Sequence, residues 1–570
     1  MPQSRHPSLR HSDGPALAVI VAAIVCVGAG LRLWQYLANA SLWVDEAAVA
    51  RNVVDRSVAG LFAPLDYGQA APWGFLLIEK LAVALFGNHE YALRLFPLLC
   101  GLASLVLFYV VARQILTGVG VPVALTMFAI GIPFVYFPSQ VKPYSCDIAA
   151  ALLVAALALR LWRTRPPLHT ALWFGAIGAA IPFVSYSSVF PLAGIGAAMV
   201  VLAWHDRRPL PPVLAAVGLW CAGVVLAIGA ARGSMTAADR EFMHRYWAAG
   251  FAPAPHSLQD WLWPWHQITA AFGVFSKAPP TLDGGLHYRY PLLCAALCLA
   301  GAWSLLRRGR HLAAFVFAPA ALAFIAAAAH AYPISGRLAV FLIPFLAIAV
   351  AAAIEDLHDA ARPRVGYAAL LAPTFVIVLA VHAIARTLPP DRQEDVKSVL
   401  SYVRDHRRPD DAVYVYYGAG QAVRYYASRY GFTADEYVSG SCARDDPRVY
   451  LREIDRFRGR PRAWAIFSHS LQDGREIRLM TGYLDRIGRR LDASPAQSGP
   501  LGAGAYAFLY DLTDANKLAS ASAESFSVPR ADRETAWLCY GTMTPVRFVR
   551  TPNLEPRTSN LEPRTMNAEP

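Results

Sequence analysis

Long apolar runs separated by short polar connections dominate the first two thirds of the chain. Runs of about 17 to 25 apolar residues, the length that crosses a hydrocarbon core, fall near 15–38, 91–112, 119–138, 145–162, 169–185, 189–204, 212–231, 291–306, 311–331, 337–354 and 366–386, about eleven in all. The connections alternate in charge. Arg113, then Arg160, Arg163 and Arg165, then Arg207 and Arg208, then Arg307, Arg308 and Arg310, then Arg362 and Arg364 mark every second one. With Arg5 and Arg10 in segment 1–14, they predict a cytoplasmic N-terminus and cytoplasmic loops at 113–118, 163–168, 205–211, 307–311 and 355–365. The opposite connections, 39–90, 139–144, 186–188, 232–290, 332–336 and everything after 386, are then outward.

Two segments test this count. "PWGFLLIEKLAVALF", 72–86, is short and holds Glu79 beside Lys80, which predicts an interfacial or re-entrant helix; counted as a span it would invert every later loop. The first run ends in "ANA", as a signal peptide does, but it is long for a signal core and contains Arg32, so it reads as a span.

After residue 386 the period changes. "DRQEDVKSVLSYVRDHRRPDD" and "GAGQAVRYYASRYG" read as helices, and "AVYVYY", "AWAIFSHS" and "AYAFLYDL" as strands, which predicts an extracytoplasmic α/β domain over 387–512. From 513 to 570 the chain turns polar, with the repeat "NLEPRTSNLEPRT", and is expected to be a disordered tail.

Composition agrees with lipid as solvent: of 570 residues, 56% are hydrophobic and only 16% charged, against about a quarter charged in soluble domains. The net charge of +12 would suit nucleic acid, but arginines confined to connections between apolar runs report topology instead, so no nucleic-acid partner is expected. The eight cysteines form no CxxC pair and no Cys/His cluster, so neither a zinc site nor a disulfide framework is indicated.

The chemistry concentrates in the outward connections. In "SLWVDEAAVARNVVDRSVAGLF", Val49, Val53, Val54, Val58, Leu61 and Phe62 recur at helical spacing, which predicts a helix lying on the membrane with Asp45 and Glu46 at its N-terminal end. Complementing the helix dipole is the structural explanation for such a pair. Lys142 and Arg337 stand at outward membrane boundaries, where an ionisable residue is a functional candidate and snorkelling to headgroups the alternative. The Trp-rich loop 246–265 suits a bilayer interface, and His244, His256 and His266 show no ligand spacing, so no metal is assigned to them.

"SLWVDEA", Pro72 in "QAAPWGF", "FGNHEYALRLFP" at 86–97 and "QVKPYSCD" at 140–147, in this order, resemble the membrane glycosyltransferases of the GT-C fold. Among them the resemblance is to the dolichyl-phosphate-mannose protein mannosyltransferase-like superfamily, which includes aminoarabinose-transferase-like proteins. It covers roughly 15–386, and "AYPISGRLAVFLIP" at 331–344 is similar to a later outward loop of such enzymes. The resemblance implies a polytopic α-helical membrane protein that transfers a sugar, with inversion, from a polyprenyl-phosphate donor to a glycan, lipid or protein acceptor. The reaction would occur on the outer face of a bacterial plasma membrane. Asp45, Glu46 and Asp147 would be catalytic. Lys142 and Arg337, with Arg94 as a third cation, would hold the donor phosphate, and Trp43, Gln69 and Tyr144 would contact substrate. The chain departs from some relatives in having Ala71, where they carry a lysine that meets the lipid phosphate. Divalent-metal dependence varies across the fold and stays open. The rival readings are a transporter or flippase of lipid-linked sugars, which would place charges at the bilayer midplane, and an inactive relative acting as a binding protein.

Overall fold

The computed structural model describes residues 15–273, 289–361, 394–470, 474–495, 504–529 and 534–542, with isolated positions between these stretches. The chain divides into two compact units, 1–392 and 393–570.

The first unit is a helical membrane bundle. Among the described residues seven helices are long and apolar enough to span a bilayer, or eight when Gly120–Ile130 and Ile132–Ser139, bent by 58° at Gly131, count as one. The run expected at 169–185 forms a shorter apolar helix, Leu168–Phe183, and that at 291–306 lies in the helix Arg289–Arg308. The run at 366–386 lies outside the described residues. The apolar helices pack through small residues, as helices in lipid do: a Cβ on Gly301 would collide with the carbonyl oxygen of Ala349. Arg32 is fully buried in α1, Pro15–Leu37, and its guanidinium donates to the carbonyls of Ala129 (3.0 Å) and Phe128 (3.3 Å). Backbone carbonyls beside the Gly131 bend thus take the terminal N–H groups of an arginine inside a span, while its buried Nε has no hydrogen-bond partner.

The five basic connections meet one another. Arg163 donates to the carbonyl of Gln114, and Arg208 to that of Trp162 at 2.7 Å. The Thr117 amide donates to Glu355 at 3.0 Å, and Arg308 pairs with Glu355 at 3.1 Å.

Among the described residues, two helices of more than ten residues lie between the first and second spans, followed by the one-turn helix Glu90–Leu93. The helix α2, Val44–Asp55, stops earlier than the valine spacing predicts: residues 56–58 leave the helix, and Ala59–Phe62 forms a separate 3-10 turn. The cause lies on α3, Trp73–Phe86. Lys80 Nζ donates to the carbonyls of Val53 (2.8 Å), Val54 (3.1 Å) and Arg56 (2.7 Å), satisfying the end of α2. Val49 and Val53 are fully buried in protein, so α2 is an internal strut as much as a surface helix. On α3, Glu79 is buried beside Lys80, and burial pushes its carboxyl well above the usual range, which favours the neutral acid.

The second unit is a five-stranded mixed sheet in the order β2-β1-β3-β5-β4, with β1 Ala412–Val415, β2 Val438–Ser439, β3 Ala463–Ser468, β4 Arg489–Ala493 and β5 Ala505–Asp511. β1 is parallel to both neighbours, and β5 is antiparallel to β3 and β4. The three strands read from the sequence are the central, buried ones. The two missed are edges: β2 has two residues, and β4, "RRLDA", is exposed and charged as edge strands often are.

Order continues past 512, contrary to the expected tail. Helix Ala515–Ser520 caps on Asp514, and Leu518, Phe526 and Val528 pack on the sheet's core. Cys442 and Cys539, 97 residues apart, form a disulfide. That corrects the reading of the cysteines, since spacing cannot show a pairing made by folding. Residues 543–570, with the direct repeat, lie outside the described residues.

Candidate active site

Asp45, in the first turn of α2, points its carboxylate at the guanidinium of Arg337, 2.7 Å away, and both side chains are about one fifth exposed. Arg337 follows Gly336, which takes φ +46°, at the start of the last described span. Three rings surround the guanidinium carbon: Trp43 at 5.5 Å, Tyr144 at 5.8 Å and Trp247 at 5.4 Å. Cation–π attraction to three faces holds Arg337 at one place without consuming its N–H donors. Its Nε is buried and has no hydrogen-bond partner.

Nothing in the sequence sets Trp247 apart within the aromatic loop. Gly250 fixes it: the Gly250 carbonyl accepts from the Ile334 amide at 2.7 Å, and a Cβ at 250 would meet Pro333 and Ser335 below 3 Å. The loop is thereby clamped to the stretch leading into Arg337.

Lys142 is buried two residues before Tyr144 and donates to Gln69 Oε1 at 2.6 Å, while the Gln69 amide reaches the Tyr67 carbonyl at 3.2 Å. Burial brings the amine down to about 8; the charges of Asp45 and Glu46 oppose the shift and Arg337 adds to it. Lys142 stands two residues before Tyr144, whose ring faces the Arg337 guanidinium at 5.8 Å. Asp147, one turn beyond, accepts from Ser185 Oγ at 2.6 Å. Tyr186 reaches the Ala71 carbonyl at 3.3 Å, and Gly74 packs against the Phe183 carbonyl, where a Cβ would sit 2.7 Å away. Stretches 41–46, 69–74, 140–147, 183–187, 247–250 and 333–337, which lie in the predicted outward connections or at the adjoining ends of apolar runs, are joined by these contacts.

Glu46 and Arg94 behave differently. Both are buried, and Arg94 forks onto Glu46, Nε to Oε1 at 3.1 Å and Nη2 to Oε2 at 2.8 Å. The Val141 amide also donates to Oε1 at 2.7 Å, and Arg94 Nη1 to the Ala40 carbonyl at 2.8 Å. The pair ties the outward stretches around 40–46 and 141 to the start of the second span. Removing one partner of a buried pair leaves the other charge uncompensated, so Arg94→Ala is expected to destabilise the bundle by about 3–5 kcal/mol. Thermal unfolding in detergent measures this; an unchanged melting temperature would refute the framing role.

The Asp-Glu motif therefore sends its two carboxylates to two different arginines. Among the described residues no three His, Cys, Asp or Glu side chains gather as a metal ligand set.

No family model matches the chain, and no curated protein does. Among solved structures it is similar to ArnT from Cupriavidus metallidurans bound to undecaprenyl phosphate, with a TM-score of 0.47 and 11% identity over 87% of this chain and 98% of that one. The apo state of that protein gives 0.46 and 13% over the same shares. The archaeal oligosaccharyltransferase AglB from Archaeoglobus fulgidus, in complex with an inhibitory peptide and a dolichol-phosphate, gives 0.45 and 11% over 87% of this chain and 74% of that one. Likeness at these scores fixes neither ligand nor reaction.

Proposed function

We propose that the chain is an integral-membrane glycosyltransferase that moves a sugar from a polyprenyl-phosphate carrier to an acceptor hydroxyl at the outer membrane boundary. The observation that carries the reading is the convergence of one carboxylate, Asp45, with two cations, Arg337 and Lys142, in a ring-lined site built from separate outward stretches. Asp45 takes the acceptor's proton as the acceptor oxygen bonds to the anomeric carbon and the bond from that carbon to the phosphate oxygen breaks. Attack opposite the leaving group inverts the anomeric centre. The phosphate leaves with the bonding electrons, its charge rising from one to two, and the fixed cations stabilise that gain. Ser185 orients Asp147, while Glu46 and Arg94 hold the frame and meet no substrate. Trp43, Tyr144 and Gln69 set the cations' positions.

The test is purified protein with a panel of polyprenyl-phosphate sugars and mass analysis of the lipid fraction. Released polyprenyl phosphate together with a glycosylated acceptor supports the reading; its absence across the panel and across acceptor classes overturns it.

Lys142 gives a pH test. Its amine is protonated below about 8 and loses its charge as pH rises through that value. Undecaprenyl phosphate should therefore bind more weakly at pH 9 than at pH 7. Lys142→Met should bind weakly at both and show a flatter profile; a parental pH dependence in that variant would remove Lys142 from the phosphate site.

Sidedness follows from the arginine bias and gains support from the Cys442–Cys539 disulfide, because such bonds persist in oxidising compartments. We place the second unit and the active site outside the plasma membrane. Cysteine-accessibility labelling of intact cells is expected to reach an engineered cysteine at 420 and not one at 310, and the reverse pattern would invert the topology.

A further inference from the structure

The ion pair at the centre of the site raises a question of timing. Asp45 and Arg337 are 2.7 Å apart, so the proposed base and the proposed phosphate-binding cation are engaged with each other. A carboxylate next to a guanidinium holds a proton less readily, and a guanidinium already bonded to a carboxylate has fewer donors for phosphate. Each role is weakened while the contact lasts. The surroundings limit how it can be broken. Arg337 is boxed by Trp43, Tyr144 and Trp247, the last pinned through Gly250, so a large swing of the guanidinium is blocked. Its buried Nε still lacks an acceptor, which leaves a donor for an incoming anion at the same position. Lys142 lies near enough to feel both groups, so the same anion would meet a second cation.

We propose that the donor's phosphate releases the base. When the lipid-linked sugar binds, its phosphate takes over Arg337, the Asp45 carboxylate is freed at the acceptor side, and transfer runs in a fixed order with donor first. This rests on the glycosyltransferase reading and adds to it a regulation of the same site. With the donor absent, Asp45 is neutralised by Arg337 and no uncompensated charge is left at the membrane boundary. With the donor present, the guanidinium fork is satisfied by phosphate oxygens, and the hold strengthens as the leaving phosphate gains charge.

The exchange makes an uncommon prediction: removing a residue of the machinery should improve ligand binding. Asp45→Asn removes the charge that competes with phosphate for Arg337 and leaves only a weaker, neutral acceptor, so undecaprenyl phosphate in nanodiscs should bind about tenfold tighter than to the parent, the scale of one hydrogen bond to a charged group. A second measurement uses the parent chain. Carbodiimide labelling of Asp45, read by mass spectrometry, should rise several-fold when undecaprenyl phosphate is added. Equal or weaker binding by Asp45→Asn, with parental binding intact, overturns the exchange and leaves the glycosyltransferase reading standing. Unchanged Asp45 labelling at saturating lipid overturns it too, and serves alone should Asp45→Asn fail to accumulate. No binding of undecaprenyl phosphate by either form overturns both the exchange and the reading beneath it.

Discussion

Asp45→Asn is expected to lower turnover by about 100-fold or more, the scale on which loss of a general base is felt. Asparagine keeps the shape of the side chain and can still accept a hydrogen bond from Arg337, but it cannot take a proton at neutral pH. Helix α2 does not depend on this carboxylate for its cap: the N-cap is Trp43, with no side-chain capping bond, and Asp45 turns to Arg337. Insertion and expression should therefore persist, and donor binding should tighten by the exchange argued above. A role limited to complementing the helix dipole predicts near-parental turnover instead. Steady-state rates of polyprenyl-phosphate release, at saturating donor and with matched protein in the membrane, separate the two. A parental rate in Asp45→Asn would make Asp45 structural and remove it from catalysis.

The residues legible in the sequence were those whose position along the apolar pattern carried the information. Asp45, Lys142 and Arg337 stand out because each charge interrupts the edge of an apolar run, where hydration is lost and an ionisable group needs a reason. The central strands β1, β3 and β5 were legible for the same cause, since burial on both faces demands continuous apolar and aromatic residues. What escaped was pairing between distant residues. Glu46 stands beside Asp45 in the sequence, yet its partner is Arg94, 48 positions away, and composition holds no sign of that choice. The end of α2 is set by Lys80, which lies on the next helix. Trp247 is one of many aromatic residues in its loop, and the close approach of Gly250 to Ile334, which brings its ring over Arg337, singles it out. The Cys442–Cys539 bridge spans most of a domain and leaves no spacing to recognise. In each case local sequence shows which groups need a partner, and tertiary packing decides which partner they take.

Arg337 carries the second large expectation. If it holds the donor phosphate, Arg337→Ala should raise the donor concentration needed for half-maximal rate by about 10- to 100-fold, the cost of one or two charge-assisted hydrogen bonds. Lys142 remains in that variant, so binding should weaken without vanishing. Arg337→Lys should recover only part of the loss. A lysine supplies the charge, but its ammonium cannot offer the parallel pair of N–H donors that grips two phosphate oxygens, and it stacks poorly among Trp43, Tyr144 and Trp247. The order parent, lysine, alanine in donor requirement is therefore the signature of a guanidinium fork. Snorkelling to headgroups predicts lysine equal to arginine, because any cation on a long stem serves. An unchanged donor titration in Arg337→Ala would move the phosphate role to Lys142, and the ring-lined position of Arg337 would then serve only to neutralise Asp45.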